Sequence, residues 1–179
     1  MLTQERRAKD LTSFHRVFLL VLVSIGSSIV YTPAYLQYVF DEPLQKALIA
    51  AGAASQDNVV TTMGTLLAAY SWTALVCYLP SGIVADRVRV RTLAWVGFGS
   101  TALLAYWYAF FPSYTVLIGL FVGMGITTIL IWWGIRFKLV RLISEEEAYS
   151  RNIGVSYGLY GLAGLILGFV NAAIVSFLA

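Results

Sequence analysis

The sequence predicts an all-α fold: a polytopic membrane helix bundle. Three observations point there. Apolar runs recur along the chain, and each is long enough to cross about 30 Å of hydrocarbon as a helix. The chain is 59% hydrophobic and 12% charged, with a mean hydropathy of +0.78, whereas a soluble domain is about one quarter charged. The charges also gather between the apolar runs instead of spreading evenly.

Taken in order, residues 1–16 form a short polar tail with Arg6, Arg7, Lys9 and Arg16. A signal peptide starts in this way, but its apolar region is only about 7–15 residues long. Here the apolar run continues over residues 17–40, so it reads as an uncleaved first span. Residues 41–58 read as a loop holding Lys46. The second span covers residues 59–85 and the third 92–111. Pro112 and Ser113 make a tight turn, and the fourth span covers 114–135. A charged loop, 136–151, contains Glu145, Glu146 and Glu147. The fifth span covers 152–179. The chain thus divides into a tail, 1–16, and a transmembrane domain, 17–179.

Orientation follows from lysine and arginine. With five spans, the tail, the loop around Arg89 and the loop around Arg141 share one side. They hold 11 of the 12 basic residues, and only Lys46 lies opposite. The positive-inside rule then puts the N-terminus in the cytoplasm of a multi-pass cell-membrane protein. Tyr106, Trp107, Tyr108, Phe110, Phe111 and Tyr114 crowd the outer end of the third span, as an interfacial aromatic belt does.

The faces of the spans carry the candidate chemistry. In the first, Ser24, Ser27, Ser28, Tyr31, Tyr35 and Tyr38 fall within about 100° of arc. Hydroxyls facing lipid would be unsatisfied, so the stripe faces protein or water. It is either a wall of a solute cavity or a helix-packing seam. Pro33 is placed to kink this span and rotate its outer part. In the fourth, Gly119, Gly123 and Gly134 form a packing face. Gly125, Thr128, Trp132 and Arg136 form another, where Trp132 and Arg136 suit an anionic or sugar-like solute. The alternative for Arg136 is a charge snorkelling to the interface. In the fifth, Gly154, Gly158, Gly161, Gly164 and Gly168 share a face and predict close helix packing. Tyr157, Tyr160 and Asn171 lie on or beside it, and Asn171 needs a partner or a cavity. The candidate solute ligands are therefore Ser28, Tyr31, Tyr35, Thr128, Trp132, Arg136 and Tyr157.

Several function classes lack their residues. One cysteine, Cys77, forms no intramolecular disulfide or cysteine metal site. A lone histidine, His15, forms no histidine cluster. No phosphate-binding glycine loop, nucleophile–base pair or paired intramembrane carboxylates are visible. The expectation is a non-enzyme without cofactor or metal, with no nucleic-acid partner, embedded in the lipid bilayer.

The stretch Pro80–Arg91 narrows this further. Gly82, Asp86, Arg87 and Arg91 fall on the pattern Gly-x-x-x-Asp-(Arg/Lys)-x-Gly-x-(Arg/Lys)-(Arg/Lys), while Arg89 replaces its second glycine and Thr92 its last basic residue. This resembles the signature loop between helices 2 and 3 of the major facilitator superfamily, and it lies at the matching place in the series of spans. The segment from Trp132 to Arg141, followed by Glu145–Glu147 and Gly154, is similar to a bacterial branch of that superfamily. The resemblance implies five helices of an N-terminal six-helix half, with helices 1, 2, 4 and 5 lining a cavity. It implies secondary transport of a small polar solute by alternating access, with Gly82, Asp86, Arg87, Arg91 and Arg141 acting in gating. Asp86 would meet a helix N-terminus of the other half or pair with Arg141. Some family marks are missing. Gly119 stands where many proton-coupled members carry arginine, and Gly168 is followed by Phe169 where antiporters carry proline. A family member has about twelve helices, so the missing C-terminal half is an expected partner. The alternative is a small, non-transporting membrane protein that acts in interaction or assembly.

Overall fold

A computed structural model describes residues 7–178, and among them no strand occurs. Calls that fall on Arg6 and on Ala179 lie outside the described residues. A short 3-10 turn, Ala8–Asp10, precedes helix α1, Ser13–Tyr31. This helix begins at Ser13 and not at residue 17, because Thr12 caps it: the Thr12 hydroxyl accepts the backbone N–H of His15 at 3.4 Å. At Pro33 the chain loses an N–H and the α ladder stops. It continues as a tighter 3-10 segment, Thr32–Tyr38, so the expected kink is a change of helix type.

The expected loop 41–58 is corrected in its first part: α2 spans Asp41–Ala50. Asp41 and Glu42 sit in its first turn, where carboxylates are favoured. Leu44 and Leu48, one turn apart, are buried. The helix ends on Gly52, whose φ of 71° suits only a residue without a Cβ. Gly52 N–H donates to Ile49 O and Ala53 N–H to Leu48 O, both at 3.0 Å, which closes the end in a Schellman motif.

Helix α3, Val59–Arg87, runs through Pro80, and α4 covers Val90–Tyr108. The turn after α4 carries Phe111 at φ 45°. Then come α5, Tyr114–Gly125, a π-helical segment, Ile126–Trp133, and α6, Gly134–Ile143. These three form one continuous rod. The expected loop 136–151 is corrected here too: it is helical to Ile143, because Ile135, Val140 and Ile143 are buried on one side. A 3-10 turn, Glu146–Ala148, leads into α7, Tyr149–Leu178.

The central rod carries most of the deep core, including Leu117, Met124, Ile135 and Val140. Helices α3 and α4 pack on it directly, and α1 packs on α6 and on α7. Two polar ties align the ends. Arg16 at the start of α1 pairs with Glu145 just before α7 at 2.6 Å. Lys138 in α6 donates to Ala85 O and Val88 O at the end of α3, at 2.8 and 2.9 Å. The start of α1, the end of α3, the end of α6 and the start of α7 therefore share one end of the bundle.

Among the described residues, four helical stretches are long and apolar enough to cross a membrane: Ser13–Tyr38, Val59–Arg87, Tyr114–Ile143 and Glu146–Phe177. Helix α4 is not among them. Arg91 and its glycines, Ser100, Thr101 and aromatic residues lower its mean hydropathy.

Candidate solute-binding site

The site grows from a change of helical pitch. Along an α-helix, Gly125, Thr128, Trp132 and Arg136 would share a face. The wide turns of Ile126–Trp133 break that register, and such π segments recur at functional sites. Gly125 is pressed against Thr73 and the Tyr70 carbonyl of α3. Thr128 donates to Met124 O at 2.6 Å, so the 3.0 Å contact with the Tyr70 phenol is donated by the tyrosine. Trp132 turns elsewhere. Its indole N–H donates to Ser27 at 3.0 Å and its ring meets Phe98 edge-on at 4.6 Å. Gly26 and Gly97 leave room for it.

Arg136 faces α7. It does not snorkel: only 1% of it is exposed, and it is the largest fully buried side chain described. Its guanidinium carbon lies 4.0 Å from the ring centroid of Tyr157 and 4.9 Å from that of Tyr160. Such cation–π contacts hold a desolvated cation by about 2 kcal/mol. Nε and Nη2 each donate weakly to the Ser156 hydroxyl at 3.4 Å. Ser156 lies 3.1 Å from the Ser24 hydroxyl, whose proton goes to Leu20 O at 2.7 Å, so Ser156 is the donor between them. Among the described residues no carboxylate pairs with Arg136; the ion pairs are Arg16–Glu145 and Glu42–Lys46.

The other candidates divide. Ser28 donates to the Tyr160 carbonyl at 2.6 Å, which ties α1 to α7. Tyr31 is 6% exposed and meets the Tyr160 ring edge-on at 6.2 Å, yet its buried hydroxyl has no hydrogen-bond partner. Tyr35 and Tyr157 are more exposed, and Tyr35 meets Tyr70 edge-on at 5.5 Å. The structure thus gathers Ser28, Tyr31, Arg136 and Tyr157 around Tyr160. It places Thr128 and Tyr35 on Tyr70 nearby, and it sets Trp132 apart. Ser156 and Tyr70 were missed in the sequence, and Tyr160 was placed beside the glycine face but not among the candidate ligands. Ser156 and Tyr160 have a signal there, since they are one turn apart on the flank that carries Tyr157.

Gly82, Asp86, Arg87, Arg91 and Arg141 lie exposed at the end of the bundle that Lys138 marks. The pairing expected between Asp86 and Arg141 is not among the ion pairs. Lys138 bridges these elements instead, satisfying the last carbonyls of α3 as a cation at a helix C-terminus does. The close packing expected of the α7 glycines is corrected: a Cβ on Gly154, Gly158, Gly161 or Gly168 meets nothing within 4 Å, and on Gly164 only Ser28 at 3.9 Å. At the other end of the bundle, a cleft of about 370 Å³ is lined by Asn171, Pro33, Leu44, Tyr108 and Phe111, so Asn171 does line a cavity.

No family model matches the chain, and no solved structure matches it. It is similar to two curated proteins. Inner membrane protein YqcE of Escherichia coli (strain K12) is 26% identical over 155 residues, which cover 87% of this chain and 35% of that protein. The protein of Mycoplasma pneumoniae described as "Uncharacterized protein MG294 homolog" is 26% identical over 175 residues, covering 90% of this chain and 34% of that protein. The chain spans about a third of the length of the curated relatives it matches.

Proposed function

We propose that this chain is an N-terminal portion of a secondary transporter of the major facilitator type, which moves a small polar solute across an inner membrane by alternating access. One observation carries the reading most: a buried, carboxylate-free Arg136 beside a buried, unpartnered Tyr31 hydroxyl, both inside apolar spans. Intramembrane ionisable groups are costly and mark solute paths. Proteins of this class place the solute between two halves that rock about it, and matched relatives about three times as long leave room for the second half. The exposed Gly82–Arg91 rim is then the cytoplasmic latch.

The fold supports five crossings. The ends of α3 and α6 lie together, so α4 must carry the chain back to the far end before Tyr114. Its 19 residues are about 28 Å long, enough to do so. Five crossings also keep the basic clusters on one, cytoplasmic, side with the N-terminus.

The test is water access at Tyr31. In a Cys77→Ser background, Tyr31→Cys is expected to react with a water-soluble maleimide in membranes, because a transporter exposes its cavity in at least one state. A position that stays unreactive under all conditions would sink the transport reading. The open glycine face of α7 favours a second reading, a membrane protein that acts in assembly; it predicts a dry position 31 and cross-linking through α7.

A further inference from the structure

We infer that the Arg136 site binds a solute bearing a single carboxylate, and that Tyr31 supplies the neutral donor to it. The inference rests on the transport reading and names its substrate class. Four observations carry it.

The first is a charge balance. Arg136 brings one positive charge into the bundle interior. Among the described residues, no acidic side chain lies in the middle of a span; those within the apolar stretches sit at their ends. Asp86 occupies the last turn of α3, and Glu145, Glu146 and Glu147 sit at the turn before α7. A buried cation without a counter-charge is costly, and a monoanion neutralises it with none left over. Inorganic phosphate is a mixture of mono- and dianion at neutral pH; its dianion would leave one charge uncompensated in the same apolar surroundings, and neither form is planar or has an apolar body.

The second is donor geometry. A guanidinium carries five N–H donors in a planar fork that matches a carboxylate. Only Nε and Nη2 have a partner here, and they share one serine oxygen at 3.4 Å, at the long end of a hydrogen bond. The fork is held in place but weakly engaged.

The third is Tyr31. Its hydroxyl is buried and unpartnered, which is unfavourable until a ligand supplies the partner. Its ring and the Arg136 guanidinium both lie against Tyr160. A phenol donates without adding charge, so the two groups can hold one carboxylate together.

The fourth is access. Arg136 is covered, but the ring covering it at 4.0 Å belongs to Tyr157, which is 42% exposed. Tyr157 is therefore a cover that reaches the surface, and Tyr35 and Tyr78 are exposed as well. The aromatic walls suit a flat apolar body behind the carboxylate.

The experiment uses the full chain in lipid nanodiscs and follows thermal unfolding with benzoate, with its neutral isostere benzamide, and with inorganic phosphate. Benzoate is expected to raise the midpoint, and benzamide and phosphate to leave it nearly unchanged. Arg136→Gln should abolish the benzoate effect. Since that variant also removes the Tyr157 and Tyr160 contacts and is at risk of misfolding, Tyr31→Phe is the second variant. It deletes only an oxygen without a partner, so the chain stays folded. It should bind benzoate about tenfold more weakly, as loss of one hydrogen bond to a charged group does. Equal stabilisation by benzoate and benzamide, or undiminished benzoate binding by Tyr31→Phe, overturns the inference. Absence of benzoate binding with a water-accessible position 31 overturns it while the transport reading stands; a dry position 31 removes both.

Discussion

Gly134 meets α3 more closely than any side chain allows. A Cβ there would lie 2.5 Å from the Ser81 carbonyl oxygen and 2.7 Å from the Ala85 Cβ, and neither atom belongs to a flexible side chain. Gly134→Ala is therefore expected to destabilise the bundle by about 1–3 kcal/mol through overpacking, measured as a loss of chemical-denaturation stability. Gly82→Ala is the control: its Cβ meets nothing within 4 Å, so it is expected to leave the stability of the bundle nearly unchanged. The sequence marked both glycines but could not rank them, because helical spacing says which side a residue faces and not how near the neighbour stands. Arg136 shows the same limit. Its place on the fourth span was legible, and so was its chemistry. Its separation from Trp132 was not, since a π-helical segment has no residue signature and shifts the register of everything after it.

Among the elements, the long apolar helices were legible because hydropathy and length are summed over many residues. The short helix α2 was missed, although its parts are plain in retrospect: acids in the first turn, Leu44 and Leu48 one turn apart, and Gly52 as the stop. The bundle decides its formation by burying the two leucines, and no local pattern reports that. Its exposed face carries Glu42 and Lys46, 2.7 Å apart. The Lys46 hydrogen bond, then its charge, hold the Glu42 carboxyl below its ordinary value of 4.5. The group binds its proton less readily in the folded helix, so the pair's contribution is present above the ordinary value. It fades as pH falls through the depressed one. Glu42→Gln should abolish this acid-range titration, followed by NMR, with little change in stability at neutral pH because the pair is exposed. Lys138 acts between elements. Lys138→Met keeps the stem but leaves Ala85 O and Val88 O without their donor. The expected cost is up to about 1.5–3 kcal/mol, seen as faster amide exchange confined to the α3–α4 junction.

At the scale of the molecule, the two ways of counting crossings make opposite statements about where the charges lie. If only the four most apolar helices cross, the chain turns back between Arg87 and Tyr114 on one side. The basic residues after Lys138 then face the side opposite Arg87, Arg89 and Arg91. That topology splits the positive clusters between the two sides, against the usual asymmetry. It would also put Lys138 and Ala85, which touch, on opposite sides of a bilayer. With α4 as a fifth crossing, both conflicts vanish. The lower hydropathy of α4 is tolerable because Thr101 bonds Thr127, and Leu93 and Gly97 face protein. Two single-cysteine variants in a Cys77→Ser background separate the topologies. Ser113 lies in the turn between α4 and α5, and Ser150 at the start of α7; both are exposed. Five crossings from a cytoplasmic N-terminus predict that a membrane-impermeant maleimide added to intact cells labels Ser113→Cys and spares Ser150→Cys. Four crossings predict the reverse, because removing one crossing inverts every segment after it. Labelling of Ser150→Cys alone would therefore place α4 at the membrane surface and break the match between the basic clusters and a single cytoplasmic rim, on which the latch assigned to Gly82–Arg91 depends.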